Sequence, residues 1–383
     1  MMLNETITDR RRQTRSSIYH HLYCQHDFCS KQTLAQDMKL SLPTVYQNLT
    51  ELMEAGLVGY TGEQRSTGGR RAMGLDIVPD ARIAIGISVT DNRVRMVAAD
   101  LRLQELNYRR IMYPLVDDFD HFAAFLSGEL EHFLDDCCID RQRLLGVGIA
   151  FPGVISADRQ SMLLAPTLHM RNVPFQSLQQ AIPYPVWVQN DGTCGGHTEG
   201  FMRTMSVDIN DDSGNLGYLS LENGVGGALL INGQLYDGNH LRSGEFGHIC
   251  VENNGLVCKC GRRGCLEAYC SAKRISDDLG LTLDEFFRKV NANELEYAAL
   301  WQDLLQHLAV GINSVNMVLD CDVVLGGFLG EYLEPWLPQL RQYVAQGNPF
   351  EENGDFVHLS LLKSHNAPLG AALHFIKQFI DSI

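Results

Sequence analysis

His248, Cys258, Cys260 and Cys265 fall within one stretch, GEFGHICVENNGLVCKCGRRGCLEAYC. One imidazole and three thiols at loop spacing form a Cys3His donor set, which suits a single tetrahedral Zn2+ ion per chain. Gly255, Gly261 and Gly264 let the backbone turn tightly around an ion. Glu245 and Glu267 bracket the set. A purely structural metal knot needs no such carboxylates, so the segment is expected to join metal binding to recognition of a polar ligand. Clustered cysteines also occur in disulfide scaffolds and in apolar cores. The opening residues, MMLNETITDRRRQ, are polar and lack the apolar stretch of a secretory signal, which predicts a cytoplasmic protein with reduced thiols. Metal is therefore expected in this loop. The other eight of the eleven cysteines, Cys24, Cys137, Cys138 and Cys321 among them, read as core or incidental.

The elements that must position this loop need most of the 383 residues, enough for two or three domains. No apolar run approaches the roughly 18 residues that cross a bilayer, so no membrane insertion is expected. Charge is uneven. Residues 1–80 hold nine Lys/Arg and nine Asp/Glu; the remainder holds 22 against 37 and carries the whole net charge of −15. The acidic body repels phosphates, so any nucleic acid is expected on residues 1–80.

Residues 10–26 read as a helix with Ile18, Leu22 and Tyr23 at helical spacing. Ser30 caps a second short helix. Ser41 caps a third, with Pro43 in its first turn and Val45, Leu49, Leu52 and Met53 as its buried stripe. This spacing predicts a helix-turn-helix with Thr44, Tyr46, Gln47 and Asn48 facing a DNA groove. VGYTGEQRSTGGRRAMGLDIV then reads as a two-stranded wing whose tip presents Arg65, Arg70 and Arg71 to phosphates or a minor groove.

From residue 81 the pattern turns to strands (82–89, 93–101, 105–113), a helix within 117–138, then strands and helices in alternation. A meander followed by alternating elements, made twice, predicts two α/β lobes with a cleft between them. Asn190, Asp191, the Gly224–Gly227 turn and Gly326–Gly327 fall at the carboxyl ends of strands, where such sheets place ligands.

In order, the STGGRR wing, the FPG turn, NDG, GEFGH and CKCGRRGCLE resemble the ROK family of repressors, open reading frames and kinases. They are most similar to its regulator branch with an N-terminal winged helix. The resemblance implies a winged helix-turn-helix at 1–80 and an actin-like, hexokinase-type (RNase H-like) body. The small lobe would be 81–188 plus 366–383, and the large lobe 189–365. It implies a hexose or N-acetylhexosamine bound by Gly153, Asn190, Asp191, Glu245, His248 and Glu267. His248 would turn one ring nitrogen to zinc and the other to the sugar. It also implies homodimers or homotetramers on operator DNA. Some family members answer instead to a membrane sugar-transport protein that sequesters them.

The kinase branch opens its small lobe with an Asp-x-Gly-Gly-Thr phosphate loop. Here the aspartate position is Ser88, and the two glycines are Thr90 and Asp91. The second phosphate turn carries Glu222 where glycine is usual. Phosphoryl transfer depends on positioning and charge neutralisation. The expectation is thus a regulator with no catalytic residues and no bound nucleotide. An active ATP-dependent sugar kinase, with Asp191 as base, is the alternative.

Overall fold

The computed structural model of the chain describes residues 7–25, 28–63, 73–113, 118–205, 214–350, 352–362 and 365–383. Three helices open it: α1 (Ile7–Cys24), α2 (Lys31–Asp37) and α3 (Leu42–Glu54). Ser30 Oγ accepts from Thr33 N at 3.1 Å, and Ser41 Oγ from Thr44 N at 3.3 Å, so both expected caps form. An antiparallel hairpin follows, β1 (Val58–Glu63) with β2 (Met73–Ile77). Its tip, with Arg65, Arg70 and Arg71, lies outside the described residues. Ile18, Tyr19, Leu22, Val45, Leu49 and Leu52 fill the centre of this head.

The body continues with β3 (Ile83–Val89), β4 (Arg93–Asp100), β5 (Glu105–Met112), α4 (Phe119–Asp136) and β6 (Leu144–Phe151). Next come β7 (Val154–Ile155), β8 (Ser161–Ala165), β9 (Met170–Pro174), α5 (Gln176–Ala181), β10 (Val186–Asn190) and α6 (Asp191–Met205). Then follow β11 (Leu216–Leu221), β12 (Val225–Ile231), β13 (Gln234–Leu235), α7 (Leu266–Cys270), α8 (Ala272–Ile275) and α9 (Leu283–Asn291). The long α10 (Leu295–Leu319), β14 (Asp322–Gly326), α11 (Leu337–Gly347), β15 (Val357–Leu359) and α12 (Asn366–Ser382) close the chain.

Two five-stranded sheets result, in the orders β10-β6-β3-β4-β5 and β13-β12-β11-β14-β15. In the first, β3, β4 and β5 form the expected antiparallel meander, and β6 and β10 add in parallel. One face buries Ile85, Ile87 and Ile149 against Phe122, Leu126 and Phe133 of α4. On the other face α12 approaches so closely that a Cβ at Gly86 would stand 1.7 Å from the Pro368 carbonyl oxygen. The second sheet packs Leu219, Val323 and Leu325 against Trp301, Leu305 and Leu308 of α10. A third sheet, β7-β8-β9, covers one mouth of the cleft. Its strands have two to five residues, too few for alternation to declare them.

Head and body share one apolar core. Ile18, Tyr19 and Leu22 of α1 belong to the same buried cluster as Leu373, Ile376 and Ile380 of α12. Arg12 and Arg15 donate to the carbonyls of Ser382 and Ile383 at 3.1 and 3.3 Å. Tyr23 Oη donates to the Leu101 carbonyl, and Arg102 Nη2 pairs with Asp76 Oδ1 at 2.6 Å. Each fully buried Leu or Ile here contributes about 1.5–3 kcal/mol.

Candidate metal loop and ligand cavity

Between β13 and α7 the chain runs mostly as a loop. Positive φ at Gly261 and Gly264, with pairing of Cys250 to Cys265 and of Val257 to Arg263, folds it back on itself. The fold brings His248, Cys258, Cys260 and Cys265 together, with one donor atom of each within 4.8 Å of the others. Cys260 Sγ and Cys265 Sγ are 3.8 Å apart, and Cys258 Sγ is 3.9 Å from His248 Nδ1. Without a cation, burial holds the Cys258 thiol above its usual range. The four expected ligands therefore form one cluster that could hold a metal ion.

Glu267 links this cluster to the second sheet. Its Oε2 accepts from Val225 N at 3.1 Å, and its Oε1 lies 3.6 Å from Cys258 Sγ. The same loop forms one wall of a cavity of about 300 Å³. Gly153, Asn190, Asp191, Glu245, His248 and Glu267, the six expected ligand contacts, all line it. His248 turns Nδ1 toward the thiols and Nε2 toward Glu245 Oε2, 4.0 Å away.

The residues differ in how far their polar atoms are engaged. Asn190 Nδ2 donates to the Gly153 carbonyl at 3.0 Å, and its Oδ1 accepts from Thr193 N at 2.9 Å. Asn190 thus caps α6 and fixes the PG turn as well as lining the cavity. Gly153 has φ of +126°, and a Cβ there would lie 2.4 Å from the Leu164 carbonyl oxygen, so the turn requires glycine. Asp191 opens α6, where Oδ1 accepts from Gly192 N at 2.8 Å. Burial nonetheless pushes its carboxyl up to about 6, against the backbone hydrogen bonds that favour the anion. Burial also holds Glu245 above the usual carboxylate range, with His248 opposing. Glu222 stands beside Asp191 at the cavity edge. Burial, then Asp191, pushes it up to about 7.

Several other cavity residues were not foreseen as ligand contacts. Pro166, Thr167 and Arg171 come from the β8–β9 roof, and Lys259 comes from between Cys258 and Cys260 of the donor cluster. Thr167 Oγ1 is buried without a hydrogen-bond partner, a hydroxyl left for an occupant. The sequence around 153–172 offered no periodicity by which to place them. Behind the cavity, Arg159 Nη2 pairs with Asp237 Oδ2 at 2.9 Å, tying the β7–β8 turn to the loop after β13.

In the head, Tyr46 and Gln47 are exposed on α3. Thr44 is half-buried, its hydroxyl 2.8 Å from Ser41 Oγ. Asn48 is corrected by the structure. It is only 2% exposed and donates to the Thr44 carbonyl at 2.8 Å, so it does not face a groove. It lies three residues after Val45 and four before Leu52, on the buried stripe itself. Lys31 was overlooked: its Nζ donates to Tyr60 Oη at 2.8 Å and sits 4.2 Å from the centre of the Tyr46 ring.

No described helix is long and apolar enough to cross a membrane. A xylose repressor of Bacillus subtilis is 27% identical over 371 residues, covering 92% of each chain. An N-acetylmannosamine kinase of Vibrio cholerae is 28% identical over 279 residues, covering 70% of this chain and 90% of the kinase. The crystal structure of a ROK family transcriptional regulator, a homolog of the Escherichia coli MLC protein, superposes with a TM-score of 0.76 at 21% identity, covering 97% of each chain. The two sheets and the cleft are therefore those of the two-lobed ROK body. The family model for ROK matches residues 84–378, and the chain belongs to the ROK family.

Proposed function

We propose that the chain is a sugar-responsive, DNA-binding transcriptional repressor whose cleft takes a hexose, pentose or N-acetylhexosamine as effector. One observation carries the reading: a three-helix head with a hairpin wing is fused through a continuous core to a ROK body with a carboxylate-lined cavity. The match to the xylose repressor covers 92% of this chain. Residues 84–383 are only 300 of the 383, so that match extends into the head. The kinase match, at 70%, need not.

Residues 1–80 form a winged helix-turn-helix in this reading. Tyr46, Gln47 and Lys31 face the groove, Thr44 supports them, and Arg65, Arg70 and Arg71 reach the backbone. Residues 81–188 with 366–383 make the small lobe, and 189–365 the large one. Sugar hydroxyls donate to Asp191, Glu245 and Glu267, bonds to charged acceptors that are the stronger kind. His248 Nε2 and Thr167 Oγ1 complete the set, with Asn190 and Gly153 shaping the floor.

The donor cluster fits zinc. A tetrahedron with Zn–S bonds of about 2.3 Å has edges of about 3.8 Å, which the sulfur–sulfur separation matches. Zinc would supply a fixed charge that keeps the thiols ionised and locks the His248 ring. Glu267 then carries that rigidity to the Val225 turn.

Catalysis is not part of this reading. Ser88 replaces the expected aspartate, and Thr90 N is already bonded to the Arg93 carbonyl at 2.8 Å, closing the turn where phosphate would approach. Two bodies related by a dyad would set two heads at a half-site spacing, and sugar would favour a setting of the lobes that spoils it. The test is an electrophoretic shift of genomic fragments with and without a sugar panel. One sugar should release a specific fragment, and Asp191→Asn should weaken that sugar roughly 10- to 100-fold without weakening DNA. Failure to bind any fragment at low salt would overturn the reading.

A further inference from the structure

One cysteine of the metal loop lies outside the donor cluster. Cys250 follows His248 by two residues, is exposed, and stands directly across from Cys265. Two hydrogen bonds fix the register: Leu266 N donates to the Ile249 carbonyl at 2.8 Å, and Val251 N to the Gly264 carbonyl at 2.7 Å. Both bonds join residues that flank the pair. Cys250 and Cys265 are therefore the narrow, non-hydrogen-bonded pair of an antiparallel ladder, with Cα atoms about 4.5 Å apart and both side chains on one face. That separation falls in the range of about 4.4–6.8 Å that a disulfide spans without backbone movement. The Cys250 thiol also leans over the opposite strand. A Cβ on Gly264, the neighbour of Cys265, would stand 3.3 Å from Cys250 Sγ. Gly264 has φ of +77°, so glycine both makes the turn and leaves the thiol room.

The two thiols differ in access. Cys250 is exposed, and its contact with the Glu252 carbonyl, at 3.8 Å, is a weak one. Cys265 is 2% exposed and belongs to the four-residue cluster, with Cys260 Sγ 3.8 Å away. Cys265 is also the N-cap residue of α7, two residues before Glu267, which bonds Val225 N and lines the ligand cavity. An exposed thiol meets a soluble oxidant first, and a second thiol set opposite is placed to resolve the product.

We propose that Cys250 is an oxidation site, at which hydrogen peroxide closes a Cys250–Cys265 disulfide and withdraws Cys265 from the metal set. The Cys250 thiolate attacks one peroxide oxygen: the S–O bond forms, the O–O bond breaks, and hydroxide leaves. The Cys265 sulfur then attacks the Cys250 sulfur: the S–S bond forms, the S–O bond breaks, and a second hydroxide leaves. Two protons, from the thiols or from solvent, turn both hydroxides into water. The sulfurs give up the two electrons that the peroxide takes. His248, Cys258 and Cys260 remain, one donor short of a closed structural tetrahedron. The disulfide follows from the loop geometry alone, whereas the loss of metal rests on the zinc reading above.

The test uses the full-length protein, reduced, assayed for zinc, and then treated with a few equivalents of hydrogen peroxide. Digestion with trypsin and a glutamate-specific protease cuts at Glu252, Lys259, Arg262 and Glu267, which separates Cys250, Cys258, Cys260, Cys265 and Cys270 from one another. Mass spectrometry of the unreduced digest should join Cys250 to Cys265. A zinc-sensitive dye should report release of the metal at the same rate, and dithiothreitol with added zinc should reverse both. Cys250→Ser should keep its zinc and its Tm when reduced, and should release zinc roughly tenfold more slowly under peroxide. Cys24→Ser, at another exposed cysteine, is the control and should behave as the unaltered chain. No bridge, a bridge from Cys265 to Cys258 or Cys260, or equal release rates in the Cys250 and Cys24 variants overturns the proposal. A reduced protein without zinc overturns the zinc reading instead, and the mapped bridge still decides the oxidation site.

Discussion

At the metal-loop end of the cleft, polar atoms hold one another. Glu267 bonds the Val225 amide, Asn190 bonds Gly153 and Thr193, and His248 faces a thiol. At the opposite end, Ser88 and Arg93 keep unsatisfied atoms and Arg95 has no ion pair among the described residues. The first end has most of its named polar atoms engaged before a ligand enters, Thr167 Oγ1 excepted. The second is charged and under-satisfied. Preorganisation favours discrimination between similar ligands, whereas unsatisfied buried atoms cost stability.

The sharpest way to break this contrast is to dismantle the engaged end. Chelation, or Cys260→Ser, should cut bound zinc from about one per chain to a small fraction and lower Tm by roughly 10 °C or more. Metal analysis and calorimetry read both. Unchanged stability would mean that the loop is held by its turns alone.

The next largest effect lies where the two ends meet. Glu222 titrates near 7 in the folded protein and near 4.5 when unfolded. A carboxyl raised on folding stabilises below the unfolded value, and that contribution is lost as pH rises through the folded one. Glu222→Gln should therefore stabilise the protein at pH 8 by about 1–2 kcal/mol, with no gain at pH 4. Denaturant midpoints across that range check it. A gain independent of pH would show that charge is not the cause. His197, held down to about 3 by burial and by Lys377 and His374, works in the other direction. It stays neutral when folded, so stability falls as pH drops below about 6.5.

The smallest effect separates neighbours on α3. Gln47→Ala should weaken operator binding about tenfold while leaving stability within about 0.5 kcal/mol. Asn48→Ala should cost about 1 kcal/mol of stability and leave affinity nearly unchanged. Filter binding and thermal melts distinguish the two, and the reverse pattern would put Asn48 back at the groove.

The metal cluster and the six cavity residues were legible because each rests on a short motif whose chemistry demands particular residue types. The meander and the long helix were legible from their periodicity. Asn48 misled because its residue type suits adenine recognition, whereas its position on the stripe decides its direction. The β7–β9 roof, with Thr167 and Arg171, was hidden because its strands are too short to show a pattern. The pairing of Arg95 with Arg110 was hidden too, since it depends on register between two strands that each look ordinary alone.

The closing helix links these observations in space. α12 begins at the rim of a second cavity in the cleft and ends against α1, where Arg12 and Arg15 hold its last carbonyls. Seventeen residues span about 25 Å at 1.5 Å per residue. Such a rod works as a lever arm: a tilt of only about 5° at the cleft displaces its far end by about 2 Å over that length. A head clamped to that far end cannot stay still while the rim of the cleft moves.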